Sequence, residues 1–266
     1  MTLTNNIWVF DIDGVITDPV TKKVLYPQII ATIEKRLSQK IPVCFNTGRS
    51  AQWIKETIIP HFNPKTSLEL LYCSCEMGEV SLEYDSRNSP HETIYHHNLI
   101  PAELKATIRE IVLSSYDETM FVDETKKSIL TIEMKDGLSQ DVYEEHQSRL
   151  SGEIRIILKN YHPGIHIRPS SSSIAIDIKP ISSNKATGAT KIMEWLRTKK
   201  IDLTNLTITA FGDSTSDLQM AEYFVSQSIP TKFIYVGTDN LDPTLPYPVI
   251  KTKAKYTAGT LEFLVS

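Results

Sequence analysis

Apolar positions in the N-terminal part of the chain come in short runs rather than singly. Ile7 to Phe10 is one such run, and it stops at Asp-Ile-Asp-Gly, the pattern of a buried strand ending in a polar turn. Pro27 suits a first helical position, and Ile29, Ile33 and Leu37 recur at i, i+4 and i+8, which predicts a helix. Ile41 to Phe45 reads as the next strand, Ser50 can cap a helix running to about Ile59, and Leu68 to Ser74 reads as a third strand. Strands and helices taking turns in this way predict a parallel sheet with helices packed on it.

The alternation then changes. From about Leu82 to Ile178 the pattern predicts a hairpin-like β segment, then a helix near Pro101 to Ser115 and a strand around Ser128 to Met134. A helix at Gln140 to Leu150 and strands at Glu153 to Leu158, Ile165 to Arg168 and Ile174 to Ile178 follow, the order of an α+β insert. Ser170 to Ser173 read as a loop. The βα pattern resumes with a helix over Asn184 to Lys199, a strand over Leu206 to Phe211 that ends at Gly212-Asp213, and a helix over Ser214 to Phe224. Ile234 to Val236 and Val249-Ile250 supply later strands, and Tyr256 to Val265 a closing helix.

Composition narrows the class without choosing the function. With 266 residues, 41% of them hydrophobic, and a net charge of -4, this is an acidic globular chain with enough length for one large or two modest domains. Basic pairs such as Lys22-Lys23 and Lys126-Lys127 are scattered, so no basic face for nucleic acid is expected. The start has no basic leader region, and no apolar run reaches membrane-span length, so a cytoplasmic protein with no membrane partner is expected. Cys44, Cys73 and Cys75 lack metal-site spacing and fit a reducing compartment.

Polar groups gather at three strand ends: Asp11 and Asp13; Asn46-Thr47-Gly48-Arg49; and Gly212-Asp213 with Asp217. In an open parallel sheet, ligands bind outside the carboxyl ends of the strands, so these distant residues can share one crevice. A phosphoryl-transfer site needs a nucleophile, a proton donor, a divalent cation and groups that hold the phosphate oxygens. Two carboxylates at i and i+2 can divide the first two tasks, and Gly14 lets the chain turn over them. Asp213, with Asp217 one helical turn on, completes an all-oxygen set suited to Mg²⁺. Thr47 offers a hydroxyl, and Lys185 a point charge for phosphate. Asp-x-Asp-Gly alone is often a turn or cap, and Gly-Asp-x-x-x-Asp arises by chance about as readily, but both following apolar strands, with a Thr-Gly after a third, is a far rarer conjunction.

Taken in order and spacing, Asp11 through Asp13 and Gly14 to Thr17, then Asn46 to Arg49, Lys185, and Gly212 to Asp217 resemble the four signature motifs of the haloacid dehalogenase superfamily. An insert between the third strand and the lysine is similar to the C2-type cap of the subgroup holding sucrose-phosphate, trehalose-phosphate and mannosyl-phosphoglycerate phosphatases. The resemblance implies an α/β fold, a doubly wound Rossmann-like core over 1–82 and 179–266 with an inserted α+β cap over 83–178. It implies that Asp11 becomes an aspartyl phosphate, and that Asp13 protonates the leaving alcohol and then activates water. Mg²⁺ would be held by Asp11, the Asp13 carbonyl and Asp213. Asp217 would be a ligand, would orient a metal-bound water, or would pair with Lys185. Thr47 and the backbone at Gly48 would bind phosphate, and Arg49 would face the leaving group or cap.

The sequence departs from that pattern in places that concern the substrate. Ala186 follows Lys185 where glycine is common, and Lys179 is a rival for the phosphate-binding lysine. Ser216 stands where asparagine is usual, and Cys75-Glu76-Met77-Gly78 where an Asn-Gly or Glu-Asn-Gly turn commonly enters the cap. Specificity is expected from the cap, with Glu76, His166 and Arg168 as candidates. The expected function is a Mg²⁺-dependent phosphatase of a small phosphate ester, foremost a sugar phosphate, in a monomer or small homo-oligomer. A phosphomutase of the same fold, or a non-catalytic binding or regulatory protein, are the alternatives.

Overall fold

The computed structural model describes residues 6–95, 100–135, 137–160, 167–171, 175–201, 203–242 and 244–266. It divides into two compact units, Met1–Thr93 with Asn184–Ser266, and Ile94–Ser183. The boundary expected after residue 82 falls within strand β4, since β4 (Val80–Tyr84) and β5 (Pro90–Ile94) continue the larger sheet.

The first unit is built on β1 (Asn6–Phe10), β2 (Val43–Asn46), β3 (Leu71–Cys75), β10 (Thr207–Gly212), β11 (Thr231–Tyr235) and β12 (Val249–Lys251), all parallel where they pair. Among the described residues the sheet has eight strands in the order β12-β11-β10-β1-β2-β3-β4-β5, with β4 antiparallel to β3. Chain order runs outward from β1 on one side and from β10 on the other, so the topological switch point lies between them. Both faces are covered, which is why these strands read as continuous apolar runs. On one face Ile7, Val9, Ile208, Ala210 and Phe233 pack with residues of α5 (Lys185–Thr198) and α6 (Leu218–Ser226). On the other, Phe10 stacks on Phe211 at 4.2 Å, and Phe211 meets Phe263 of α7 (Tyr256–Val265) edge-on. α1 (Pro27–Ser38) buries Ile29, Ile30, Ile33 and Leu37, and its Arg36 guanidinium lies over the Trp8 ring.

The second unit is α+β. Its sheet has the order β6-β7-β9-β8, formed by β6 (Met120–Val122), β7 (Leu130–Met134), β8 (Ile167–Ser171) and β9 (Ala175–Pro180), antiparallel throughout. α3 (Ala102–Ser115) and α4 (Gln140–Asn160) share a core with it through Leu104, Ile108, Tyr143, Leu150, Ile154, Ile132 and Ile178. One expected strand is absent: Glu153 to Leu158 is the second half of α4. Tyr143, Leu150 and Ile154 fall on one helical stripe while Ile156 stays exposed, so helical burial overrides the β-branched run. Ser170 and Ser171 end β8 instead of lying in a loop, and Ser172 and Ser173 lie outside the described residues.

Candidate active site

The switch point gathers the polar strand ends. Asp11 leaves β1 with its backbone N–H on the Phe211 carbonyl at 2.9 Å, which holds the two strands in register past their last residues. The chain then doubles back, with Gly14 N–H donating to the Thr17 carbonyl at φ 75°. A Cβ on Gly14 would sit 2.1 Å from Asp213 Oδ2, so the carboxylate that ends β10 lies directly against this turn. Only glycine meets both the positive φ and the close approach.

Lys185 opens α5, behind an Asn184 side chain that accepts the Thr187 N–H at 3.0 Å. Its buried ammonium lies 2.6 Å from Asp11 Oδ1 and 2.8 Å from Asp217 Oδ1, and it donates to the Asn46 carbonyl at 2.8 Å. Burial alone would depress this lysine, but Asp11 and Asp217 outweigh it and hold it charged. Lys179, its rival in the sequence, lies in β9 of the second unit, opposite Arg168 in the register.

Asp217 has both oxygens engaged. Oδ2 accepts from the backbone N–H groups of Asp213 and Ser214 at 3.1 and 3.0 Å and from Ser214 Oγ at 2.9 Å, while Oδ1 faces Lys185. It thus fixes the turn after β10 and half of the lysine's surroundings. Asp11, Asp213 and Asp217 offer oxygens that all lie within 4.8 Å of one another. Burial, and then repulsion from Asp217, pushes Asp11 well up and Asp213 to about 7. Asp11 and Asp213, which resist ionisation in this way, match a hard divalent cation in charge and donor type.

Asp13 is in the opposite condition. Burial works against its charge, but Arg49, through Nε at 2.8 Å and Nη2 at 3.1 Å, prevails with help from Lys22 at 3.7 Å and holds it below the usual carboxylate range. Arg49 itself is buried and lies over the Trp53 ring at 4.8 Å. Thr47 is buried after β2, its backbone N–H on the Ser74 carbonyl at 2.9 Å and its hydroxyl accepting from Arg49 N–H at 3.0 Å. Ser50 caps α2 (Ala51–Trp53) through the Trp53 N–H at 3.0 Å.

Glu76 sits where few side chains go. Glu76 and Met77 have φ of 50° and 57°, ahead of Gly78 at 93°, and their N–H groups donate to the carbonyls of Arg49 and Thr47, each at 3.0 Å. This strained turn clasps the Thr47-Gly48-Arg49 loop, and Glu76 is buried in it rather than presented outward. The Arg168 backbone lies in β8, but its side chain and the whole of His166 lie outside what the structure describes. The structure therefore brings together Asp11, Asp13, Thr47, Arg49, Lys185, Asp213 and Asp217. Sequence reasoning gave no role to Asn46, Lys22 or Ser214, whose positions follow from side-chain direction rather than from any motif spacing.

A doubly wound sheet with acids at its switch point and an inserted α+β unit defines a class of fold, and known structures share it. The C-terminal domain of C. albicans trehalose-6-phosphate phosphatase superposes with a TM-score of 0.69 at 14% identity, covering 98% of this chain and 91% of that one. A haloacid dehalogenase-like hydrolase from Bacteroides thetaiotaomicron gives 0.64 at 14% identity over 98% of both chains, and a trehalose-6-phosphate phosphatase related protein 0.58 at 14% over 97% and 95%. No protein-family model matches the sequence, and no curated protein does. The likeness is one of fold, which this chain shares with these structures.

Proposed function

We propose that this chain is a Mg²⁺-dependent phosphatase that hydrolyses a small phosphorylated metabolite, foremost a sugar phosphate, through an aspartyl phosphate on Asp11. The carrying observation is the buried Lys185 ammonium 2.6 Å from Asp11, with the Asp213 carboxylate in the same cluster. Asp11 and Asp213, with the Asp13 carbonyl, would hold the cation, and both engaged oxygens of Asp217 favour its role as partner of Lys185 over that of ligand. When bound, Mg²⁺ supplies charge that offsets the repulsion among the acids and screens the incoming phosphate dianion.

Asp11 attacks phosphorus, and the leaving alkoxide takes a proton from Asp13. Asp13 then removes a proton from water, whose oxygen attacks the aspartyl phosphate, and free phosphate leaves. With Arg49 upon it, Asp13 is in the ionised form that serves the second half. The first half needs it protonated, so substrate binding has to loosen the Arg49 pair. Thr47, Gly48 N–H and Lys185 would hold the equatorial oxygens. Glu76 holds the loop that carries Thr47, and Arg49 and Arg168 would address the leaving group.

Asp11→Asn keeps the shape of the side chain and removes the nucleophile. Phosphate release with Mg²⁺ should fall by more than about 10³-fold with the far-ultraviolet spectrum unchanged. Undiminished release would sink the assignment. Release of free phosphate rather than isomerised product distinguishes hydrolysis from mutase chemistry.

A further inference from the structure

Asn46 closes β2 with its side chain fully buried. It touches Lys185 twice. Its backbone carbonyl accepts from Lys185 Nζ at 2.8 Å, and its Nδ2 donates to the Lys185 carbonyl, also at 2.8 Å. One residue thus grips both ends of the lysine, the main chain where α5 begins and the ammonium at its tip. An ammonium has three donors. Asn46 O and Asp217 Oδ1 are fixed by backbone and by the turn after β10, so the third direction is the one left for Asp11, the proposed nucleophile.

Retaining this arrangement is costly elsewhere. Among the described residues, Asn46 Oδ1 is buried without a hydrogen-bond partner, an unfavourable state for an amide oxygen. It fits only because Gly188 lacks a side chain, since a Cβ there would stand 2.0 Å from Oδ1. A leucine would leave no orphan oxygen, but its methyl would crowd Gly188 and it would lose the Nδ2 donor to the Lys185 carbonyl.

We infer that Asn46 is a positioning residue that aims the Lys185 ammonium at Asp11 and so sets phosphate binding. The inference rests on the reading of Lys185 as the phosphate-binding lysine, and a double-mutant cycle separates the two. Asn46→Leu should lower kcat/KM for a phosphate ester by about 10- to 100-fold, in keeping with the effect of a misplacement of about 1 Å. It should weaken inhibition by inorganic phosphate in step with that loss. In a Lys185→Met background the same change should have no further effect on kcat/KM. If Asn46→Leu lowers activity equally in both backgrounds, or lowers Tm while phosphate inhibition stays as it was, Asn46 is a packing residue and the inference falls. If Lys185→Met itself leaves activity and phosphate inhibition intact, the reading of Lys185 falls with it. Asn46→Ser, which loses the same donor with less bulk, provides the comparison should the leucine variant fold poorly.

Discussion

At the scale of single residues, the acids at the switch point hold stability and function in opposition. Asp213 is pushed up to about 7, first by burial and then by Asp217, so the fold favours its protonated form. A raised carboxyl pKa adds stability below the unfolded value near 4, and that contribution disappears as pH rises through about 7. For the metal-free protein, Asp213→Asn should therefore raise Tm over the parent at pH 8, with the difference shrinking towards zero as pH falls well below 7. Added Mg²⁺ should raise the Tm of the parent and not that of the variant, because a ligand stabilises only the state that binds it. A variant with lower Tm at pH 8 would show that the acids do not repel. Asp11, Asp13, Thr47 and Asp213 are legible in the sequence because each follows an apolar run directly, so strand assignment alone puts them at one sheet end. The bidentate Arg49–Asp13 pair and the Asn46 grip were not legible, since both depend on where a side chain turns after its strand has ended.

At the scale of elements, two glycines in helices show why one stretch of sequence was misread. Gly152 lies inside α4, where its neighbours Ile154, Ile156 and Ile157 suggest a strand after a helix stop. A Cβ there would meet nothing within 4 Å among the described residues. Gly152→Ala should accordingly stabilise the protein by about 0.5–1 kcal/mol, the propensity difference alone. Gly188 in α5 looks equivalent by sequence, yet a Cβ there would stand 2.0 Å from Asn46 Oδ1 and 2.9 Å from Ser74 Oγ. Gly188→Ala should destabilise by about 1–3 kcal/mol through overpacking, and should also disturb Lys185. Chemical denaturation of both variants checks the pair; the same sign for both would contradict the packing described. Helical period was readable where one face is buried throughout, as in α1, and was hidden in α4 by a glycine followed by β-branched residues.

At the scale of the whole molecule, the chain interrupts one sheet to build another. Residues up to Thr93 and from Asn184 onward form the first unit, so Asp11 and Asp213 come from opposite sides of the insert and meet because β1 pairs with β10. That convergence was readable as a consequence of alternating strands and helices, whereas the extension of the first sheet by β4 and β5 was not, because a hairpin-like β pattern does not show which sheet it joins. The chemistry proposed resides wholly in the first unit, and nothing in Asp11, Asp13, Lys185 or Asp213 distinguishes one phosphate ester from another. In the proposed reading, discrimination falls to groups that address the leaving alcohol, and Arg168 is proposed as one of them. Arg168, on β8, carries that argument to a measurement. If it contacts the sugar, Arg168→Ala should raise KM for a sugar phosphate by about tenfold, the loss expected for a charge-assisted hydrogen bond, with kcat little changed. For a small aryl phosphate, which offers no hydroxyls to hold, KM should stay near that of the parent. Equal changes for both substrates would remove Arg168 from specificity and leave selection to Arg49 in the first unit.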